Sequence, residues 1–428
     1  MTLPEPQADR LGVAQLSAAG VERAVDVLRP VVRRTPLEQS VRLSEPAGVT
    51  VLLKREDQQL ARSYKIRGAH HLIAGLTAAE RERGVVCASA GNHGQGLALS
   101  CATLGIRGRV VVPQNTPRQK RQRILALGEG LVDLVTVGNS YDEASAAAHA
   151  DSESSGAVYV HPFDDPRTIV GQGTIGPELV EQAHAAGHEL GTVVVPIGGG
   201  GLISGIALWL RERHPGIRII GVEPAGAASM TAALGHGGPI GLTDLDTFID
   251  GAAVGRVGEL TYPIVRDLVD EVVTVAEGAV CTEMLALYQT EGVIAEPAGA
   301  LASAAVGRID PGGKAVAAIV SGGNNDVSRY AEIVERSLLH EGLRHYFLVT
   351  FPQEPGALRH FLEDVLIEGA DIVVFEYVKK NNRETGPALV GIELERATDL
   401  AELMSRMNAS PLTIELVPPG SPVFSFLL

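Results

Sequence analysis

Four consecutive glycines, Gly198–Gly201, form the clearest candidate binding segment in this 428-residue sequence. An apolar, β-branched run ends at Pro196 before them, and helical spacing begins at Ile203 after them. Consecutive glycines allow backbone N–H groups to converge on an anion, and a helix N-terminus assists them. A flexible turn is the alternative, but four glycines there are costly in conformational entropy. We therefore expect a phosphate to bind here, on the five residues Gly198, Gly199, Gly200, Gly201 and Leu202.

Lysine is scarce, and only four of the six lysines precede residue 345: Lys54, Lys65, Lys120 and Lys314. A poorly solvated lysine is a candidate for Schiff-base chemistry because burial favours the neutral amine. Lys65, within Ser63-Tyr-Lys-Ile-Arg-Gly-Ala69, is expected to have the least solvated surroundings of the four. The residue pattern alone nevertheless favours a surface lysine that precedes a helix. Both interpretations stay open on this pattern.

Two other polar, glycine-rich segments follow predicted strands. They are Ser89-Ala-Gly-Asn-His-Gly-Gln-Gly96 and Ser321-Gly-Gly-Asn-Asn325. Ligands of α/β sheets bind beyond the carboxyl ends of strands, so these segments and the glycine run predict one shared site. His93 is a candidate base, although a packed, hydrogen-bonded histidine is the more frequent case.

A further glycine pattern, Gly171-Gln-Gly-Thr-Ile-Gly176, matches the dinucleotide fingerprint by letter. That fingerprint requires a strand, a turn and a helix in order, and the preceding His161–Arg167 does not resemble a buried strand. We therefore reject a dinucleotide site here.

The elements that position these segments alternate between strands and helices up to about residue 330. Several strands are apolar throughout, as expected for strands buried on both faces. This order predicts an α/β fold with mainly parallel sheets. Composition changes near residue 345: six of the eight Phe and only five of the 49 Gly lie in residues 346–428. That stretch has the β-α-β-β-α-β order of a ferredoxin-like α+β domain.

Composition excludes several other classes of protein. The net charge of −15 argues against nucleic-acid binding. No apolar window is long enough to span a membrane, and residues 1–10 do not resemble a signal peptide. Three cysteines indicate neither a disulfide framework nor a paired metal site. No metal site is expected, and Glu223 is interpreted as part of a structural loop. We therefore expect a cytoplasmic protein.

The four motifs, in order, resemble the tryptophan synthase β, or fold-type II, family of pyridoxal-phosphate enzymes. They are Ser63–Ala69, Ser89–Gly96, Gly198–Leu202 and Ser321–Asn324. Within that family, Leu53-Lys-Arg-Glu-Asp57 and Ala295-Glu-Pro-Ala-Gly-Ala300 resemble threonine ammonia-lyases, also called threonine dehydratases. Phe351–Leu358 resembles the start of the ACT-like domain of their biosynthetic, isoleucine-regulated members. The resemblance covers residues from about 20 to 420.

The resemblance implies a two-lobed catalytic domain of twisted, mainly parallel sheets over residues 1–330, with a smaller lobe over about 60–165. A linker helix would cover 331–345, and an ACT-like regulatory domain would cover 346–420. The cofactor would be pyridoxal 5′-phosphate, held by Lys65 as a Schiff base.

The resemblance also implies the roles of the other site residues. Asn92 would contact the 3′ oxygen of the cofactor, Ser321 its pyridine nitrogen, and the backbone of Gly198–Leu202 its phosphate. The substrate carboxylate would bind Ser89, Ala90, Gly91, Asn92 and His93. Freed Lys65 would then take the Cα proton of the substrate.

The implied reaction is deamination of L-threonine to 2-oxobutanoate and ammonia, the first step of isoleucine biosynthesis. L-serine is an alternative substrate, and isoleucine or valine would be effectors of a homotetramer. The alternatives are a serine or threonine dehydratase-racemase, an enzyme of the threonine synthase type, and a non-catalytic amino-acid sensor.

Overall fold

The computed structural model describes residues 15–377, 384–418, 421 and 424. The chain divides into two compact units, residues 1–326 and 327–428. Residues 1–10, on which the signal-peptide prediction was based, lie outside the described residues.

The strands and helices are numbered in chain order. The strands are β1 (Leu37–Gln39), β2 (Val51–Arg55), β3 (Val85–Ala88), β4 (Gly108–Val112), β5 (Val132–Thr136), β6 (Val158–Tyr159), β7 (Leu190–Pro196), β8 (Arg218–Pro224), β9 (Glu271–Val275), β10 (Ala315–Val320), β11 (Arg344–Pro352), β12 (Asp371–Tyr377), β13 (Thr385–Glu393) and β14 (Thr413–Leu416).

The helices are α1 (Ala18–Leu28), α2 (Val41–Ala47), α3 (Lys65–Ala74), α4 (Ala78–Arg83), α5 (Asn92–Leu104), α6 (Arg118–Gly128), α7 (Tyr141–Ser155), α8 (Pro166–Gly173), α9 (Ile175–Ala185), α10 (Gly201–Arg213), α11 (Ser229–His236), α12 (Thr261–Leu268), α13 (Glu277–Glu291), α14 (Pro297–Ala304), α15 (Tyr330–His340), α16 (Ala357–His360) and α17 (Leu400–Ala409). No helix among the described residues has the length and apolar character needed to cross a membrane.

The larger sheet of the first unit has six strands in the order β1-β2-β10-β7-β8-β9. Its neighbours are parallel except for the antiparallel pair at β1. β2 and β10 are buried along their whole length. β10 is apolar along its whole length, as expected for a strand buried on both faces, whereas β2 ends in the buried Lys54 and Arg55.

The smaller sheet of the first unit is entirely parallel, in the order β5-β4-β3-β6. Its strands lie between residues 85 and 159, and Leu97 of α5 packs into its core with Val85 and Val110. The chain therefore leaves the larger sheet after β2 and returns to it at β7. The prediction of mainly parallel α/β sheets is confirmed.

The second unit has an antiparallel sheet in the order β12-β13-β11-β14. Its core is rich in phenylalanine, and the ring of Phe351 lies 5.5 Å from that of Phe361 and 6.0 Å from that of Phe375. This α+β arrangement confirms the predicted fold of the C-terminal part. The predicted helix at 331–345 is α15, which ends at His340 and belongs to this unit.

The rejected fingerprint Gly171–Gly176 lies within α8 and the start of α9, where its glycines serve helix packing. A Cβ on Gly171 would lie 2.7 Å from the Arg67 carbonyl oxygen in α3. A Cβ on Gly173 would lie 2.5 Å from the Gly205 carbonyl oxygen in α10. Because these glycines have no side chains, α8 can pack closely between α3, which begins with Lys65, and α10, which follows the glycine run.

Candidate active site

The segments that contain the motifs meet at the ends of their strands, as predicted. Asn324 follows β10 and donates from Nδ2 to Asn92 Oδ1, at the start of α5, over 2.6 Å. The backbone of Tyr64 donates to the carbonyl of Ser321, and Ser63 pairs with Gly322 in an isolated β-bridge. A Cβ on Gly96 would lie 3.1 Å from the backbone nitrogen of Ile66, so α5 passes directly beside Lys65.

Lys65 is the first residue of α3, and its amine faces the interior of the site. Nζ donates to the carbonyl oxygen of Pro162 over 3.0 Å and lies 5.2 Å from the centre of the Tyr64 ring. Burial lowers the pKa of Lys65 to about 8, although the Glu296 carboxylate opposes this effect. A substantial fraction of this amine is therefore neutral near physiological pH.

Lys65 is not the most buried lysine by exposed surface, although burial lowers its pKa to about 8. Lys54 is fully buried, whereas Lys65 is partly exposed. Lys54 Nζ donates to the Thr35 carbonyl (2.8 Å), Glu178 (2.6 Å) and Gln182 (2.8 Å). An ammonium has three N–H donors, and these acceptors use all of them. Lys54 is therefore part of a structural ion pair, and its amine has no free donor for a ligand.

The glycine run lies between β7 and α10 in a conformation that excludes side chains. Gly200 has a φ of +93°. A Cβ on Gly199 would lie 2.3 Å from the Phe163 ring, and one on Gly201 would lie 2.6 Å from Gln172 Oε1. Thr261 Oγ1 donates to the Gly199 carbonyl over 2.7 Å and holds the run in place. Because the first N–H groups of α10 have no partners within the helix, this segment can receive an anion.

The segment 161–164 connects Lys65 to the glycine run. Pro162 accepts from Lys65, and Phe163 covers Gly199. The Asp164 carboxylate accepts from the backbone N–H groups of residues 259, 260 and 261, at the start of α12. No local sequence pattern in His161–Asp164 indicates these contacts.

A buried carboxyl group lies beside Asn92. Asn92 Nδ2 donates to Glu296 Oε1 over 2.5 Å, while its Oδ1 accepts from Asn324. These two contacts fix the orientation of the amide. Burial raises the pKa of Glu296 to about 7, and the charge of nearby Asp250 adds to this effect. Ser321 is also buried, and its hydroxyl donates to the Ala298 carbonyl over 3.1 Å.

Residues 89–92 are half-buried at the start of α5, and His93 is buried behind them. His93 Nε2 lies 2.7 Å from the Val160 carbonyl oxygen, which requires a hydrogen on that nitrogen. Burial lowers the pKa of His93 to about 3, and nearby Lys65 lowers it further. This geometry agrees with a packed, neutral histidine.

Glu223, interpreted from the sequence as part of a structural loop, caps α11. Its carboxylate accepts from the backbone N–H groups of Met230 and Thr231 and from the Thr231 hydroxyl. Within residues 15–377, 384–418, 421 and 424, no group of three or more His, Cys, Asp or Glu is arranged to hold a metal ion.

Comparisons with known proteins agree with this architecture. Residues 28–322 match the family described as pyridoxal-phosphate dependent enzyme. Residues 335–427 match the C-terminal regulatory domain of threonine dehydratase. The biosynthetic L-threonine dehydratase IlvA of Mycobacterium tuberculosis is 56% identical over 417 residues, which cover 96% of each chain.

Two solved structures resemble the chain over about three quarters of its length. The processed form of threonine deaminase isoform 2 from Solanum lycopersicum has a TM-score of 0.69 and 39% identity, over 74% of this chain and 94% of its own. Maize serine racemase also has a TM-score of 0.69, with 34% identity over 76% of this chain and 98% of its own. Two findings favour the threonine deaminases over the serine racemases. One is the match to the regulatory domain of threonine dehydratase, and the other is the threonine dehydratase that aligns over nearly the whole chain. The chain therefore belongs to the pyridoxal-phosphate-dependent enzymes and, within them, to the family of biosynthetic L-threonine dehydratases.

Proposed function

We propose that this protein deaminates L-threonine to 2-oxobutanoate and ammonia at the site formed by Lys65, Asn92, Ser321 and the glycine run. The observation that carries this proposal is the position of Lys65. Its amine has a lowered pKa and shares the segment 161–164 with an anion-binding loop. An amine and a phosphate-binding loop so arranged suit a phosphorylated aldehyde such as pyridoxal phosphate.

The residues present fit this cofactor. Side chains at Gly199 and Gly201 would fill the space beside Phe163 and Gln172, so the loop keeps its backbone accessible. Gly198, Gly199, Gly200, Gly201 and Leu202 would hold the phosphate through backbone N–H groups. Asn92 would donate from Nδ2 to the ring oxygen. The Ser321 hydroxyl would turn its one hydrogen from Ala298 to the ring nitrogen, because a hydroxyl donates only once.

When bound, pyridoxal phosphate withdraws electrons from the Cα of an attached amino acid and makes its proton acidic. Ser89, Ala90, Gly91, Asn92 and His93 would orient the substrate carboxylate at the start of α5. Lys65 Nζ, released as a neutral amine, would take the Cα proton as general base. The His93 side chain would only support the helix, because its buried ring stays neutral and bound to Val160, so its part in holding the carboxylate would be that of its backbone N–H.

The purified protein should show the visible absorbance of bound pyridoxal phosphate. Adding L-threonine should change that absorbance while 2-oxobutanoate and ammonia accumulate in equal amounts. L-serine, the alternative substrate, is compared under the same conditions. Formation of D-serine from L-serine, or of D-allo-threonine from L-threonine, without oxo-acid would instead identify a racemase.

The C-terminal unit supplies regulation in this proposal, with isoleucine or valine as effector and a homotetramer as the assembly. These points rest on the match to the regulatory domain of threonine dehydratase. We expect isoleucine to change the threonine dependence of the rate at least fivefold, within the usual range of allosteric coupling. Steady-state kinetics with each amino acid, on the intact chain and on a chain ending at residue 326, tests this expectation. Equal isoleucine responses in both chains would contradict it.

A further inference from the structure

The Pro162 carbonyl oxygen receives two donors from two different helices. Lys65 Nζ in α3 lies 3.0 Å from it, and Gln172 Nε2 in α8 also lies 3.0 Å from it. A carbonyl oxygen has two lone pairs and can accept both hydrogens. Gln172 therefore contacts the same atom as the amine of Lys65, although the two residues are far apart in sequence.

The orientation of the Gln172 amide is determined by its surroundings. Its side chain is fully buried, and its Oε1 has no hydrogen-bond partner among the described residues. Turning the amide over would place Oε1 against the Pro162 oxygen and lose the hydrogen bond. Gly68 makes room for this side chain, since a Cβ there would lie 3.0 Å from Gln172 Nε2.

Few other groups act on the Lys65 amine. Glu296 is the acidic group that acts on it and favours its charged form. His93 and His161 are also close enough to interact, but burial lowers their pKa values to about 3 and about 4, so both are neutral. Tyr64 presents its ring. The Pro162 carbonyl is thus the direct acceptor whose strength can change the state of the amine.

We propose that Gln172 is a positioning residue for Lys65, because it fixes the acceptor of the free amine and limits how strongly that acceptor favours the ammonium form. A second donor withdraws electron density from the carbonyl oxygen, so the oxygen stabilises a positive charge less. The inference rests on the proposed role of Lys65 in holding the cofactor.

The test measures how fast pyridoxal phosphate binds to the full-length chain after the cofactor has been removed. The neutral amine is the reactive form, so the rate should rise with pH, with a midpoint near the Lys65 pKa of about 8. Gln172→Met removes the donor at similar size. We expect its midpoint to move up by roughly 0.1 to 0.4 of a unit, because the second donor changes the strength of the bond between Lys65 and Pro162 by only about 10–30%.

Thr168→Val is the matched control. Thr168 lies in the same helix and donates to the neighbouring His161 carbonyl over 3.0 Å, so this variant loses a similar buried bond without touching Pro162. Its midpoint should match that of the unchanged chain. Gln172→Glu retains length and polarity, and its carboxylate should raise the midpoint further. It provides a second test if the Met variant does not fold.

An unchanged or lowered midpoint in a folded Gln172 variant would overturn the inference, as would an equal shift in Thr168→Val. The Lys65→Ala variant separates this failure from failure of the proposed function. If Lys65→Ala binds the cofactor with the same pH dependence as the unchanged chain, the proposed role of Lys65 is wrong. If Lys65→Ala loses this pH dependence while the Gln172 variants behave like the unchanged chain, the proposed role of Lys65 stands and Gln172 is merely structural.

Discussion

Lys65→Ala should lower kcat for threonine by about a thousandfold or more, because one amine serves both as cofactor anchor and as base. The variant should also lose the visible absorbance of the bound cofactor, while its thermal unfolding should change little. Lys65 is partly exposed and makes one hydrogen bond among the described residues, to Pro162, and Glu296, the buried acid that acts on it, keeps its hydrogen bond with Asn92. Steady-state kinetics, the absorbance spectrum and the melting temperature together test this expectation.

Lys54 is the informative comparison for that experiment. Lys54→Met leaves Glu178 next to Arg67 but removes the other cation of a buried cluster. Breaking a buried pair from one side costs about 3 kcal/mol or more, so this variant should be destabilised. Its folded fraction should still carry the cofactor absorbance. If Lys54→Met loses that absorbance while remaining folded and Lys65→Ala keeps it, the two lysines have been assigned the wrong roles.

Gly199→Ala should weaken the binding of pyridoxal phosphate by roughly tenfold to a hundredfold, the usual effect of overpacking. The new Cβ would lie 2.3 Å from the Phe163 ring, so either the ring or the loop must move. Phe163 is adjacent to both Pro162 and Asp164, so its movement would also disturb the contact with Lys65 and the cap of α12. Titration of the cofactor-free chain with pyridoxal phosphate measures the loss.

Gly216→Ala is the control for the loop variant. No atom lies within 4 Å of a Cβ at Gly216, and this position has no left-handed backbone conformation. Its cofactor affinity should equal that of the unchanged chain. Equal affinity in Gly199→Ala would show that the loop tolerates a side chain and would contradict this expectation.

Much of the site was predictable because its signals are local in sequence. Gly198–Gly201 and the two other strand-end segments were recognised from residue type and order alone. The segments after β7 and β10 share one edge because these two strands are parallel neighbours in the larger sheet. Ser89–Gly96 follows β3 of the smaller sheet, and only the contact between Asn92 and Asn324 shows that it meets the segment after β10.

Burial of individual side chains was less predictable. Lys54 precedes the charged residues Arg55, Glu56 and Asp57 in the sequence, yet its side chain is fully buried. Its acceptors Glu178 and Gln182 lie more than 120 residues away in α9, so no local pattern could identify them. The glycines of Gly171–Gly176 also depend on distant residues. They leave room for the backbone of Arg67 in α3 and of Gly205 in α10.

The sequence by itself determined the fold class, the change of composition near residue 345 and the segments proposed to bind the cofactor, because periodicity and glycine clustering are local properties. Only the tertiary structure decided which lysine has a free amine, that Phe163 and Thr261 hold the glycine run, and that Gln172 shares an acceptor with Lys65. These features depend on contacts between distant segments, and such contacts exist only after the helices have packed around the two parallel sheets.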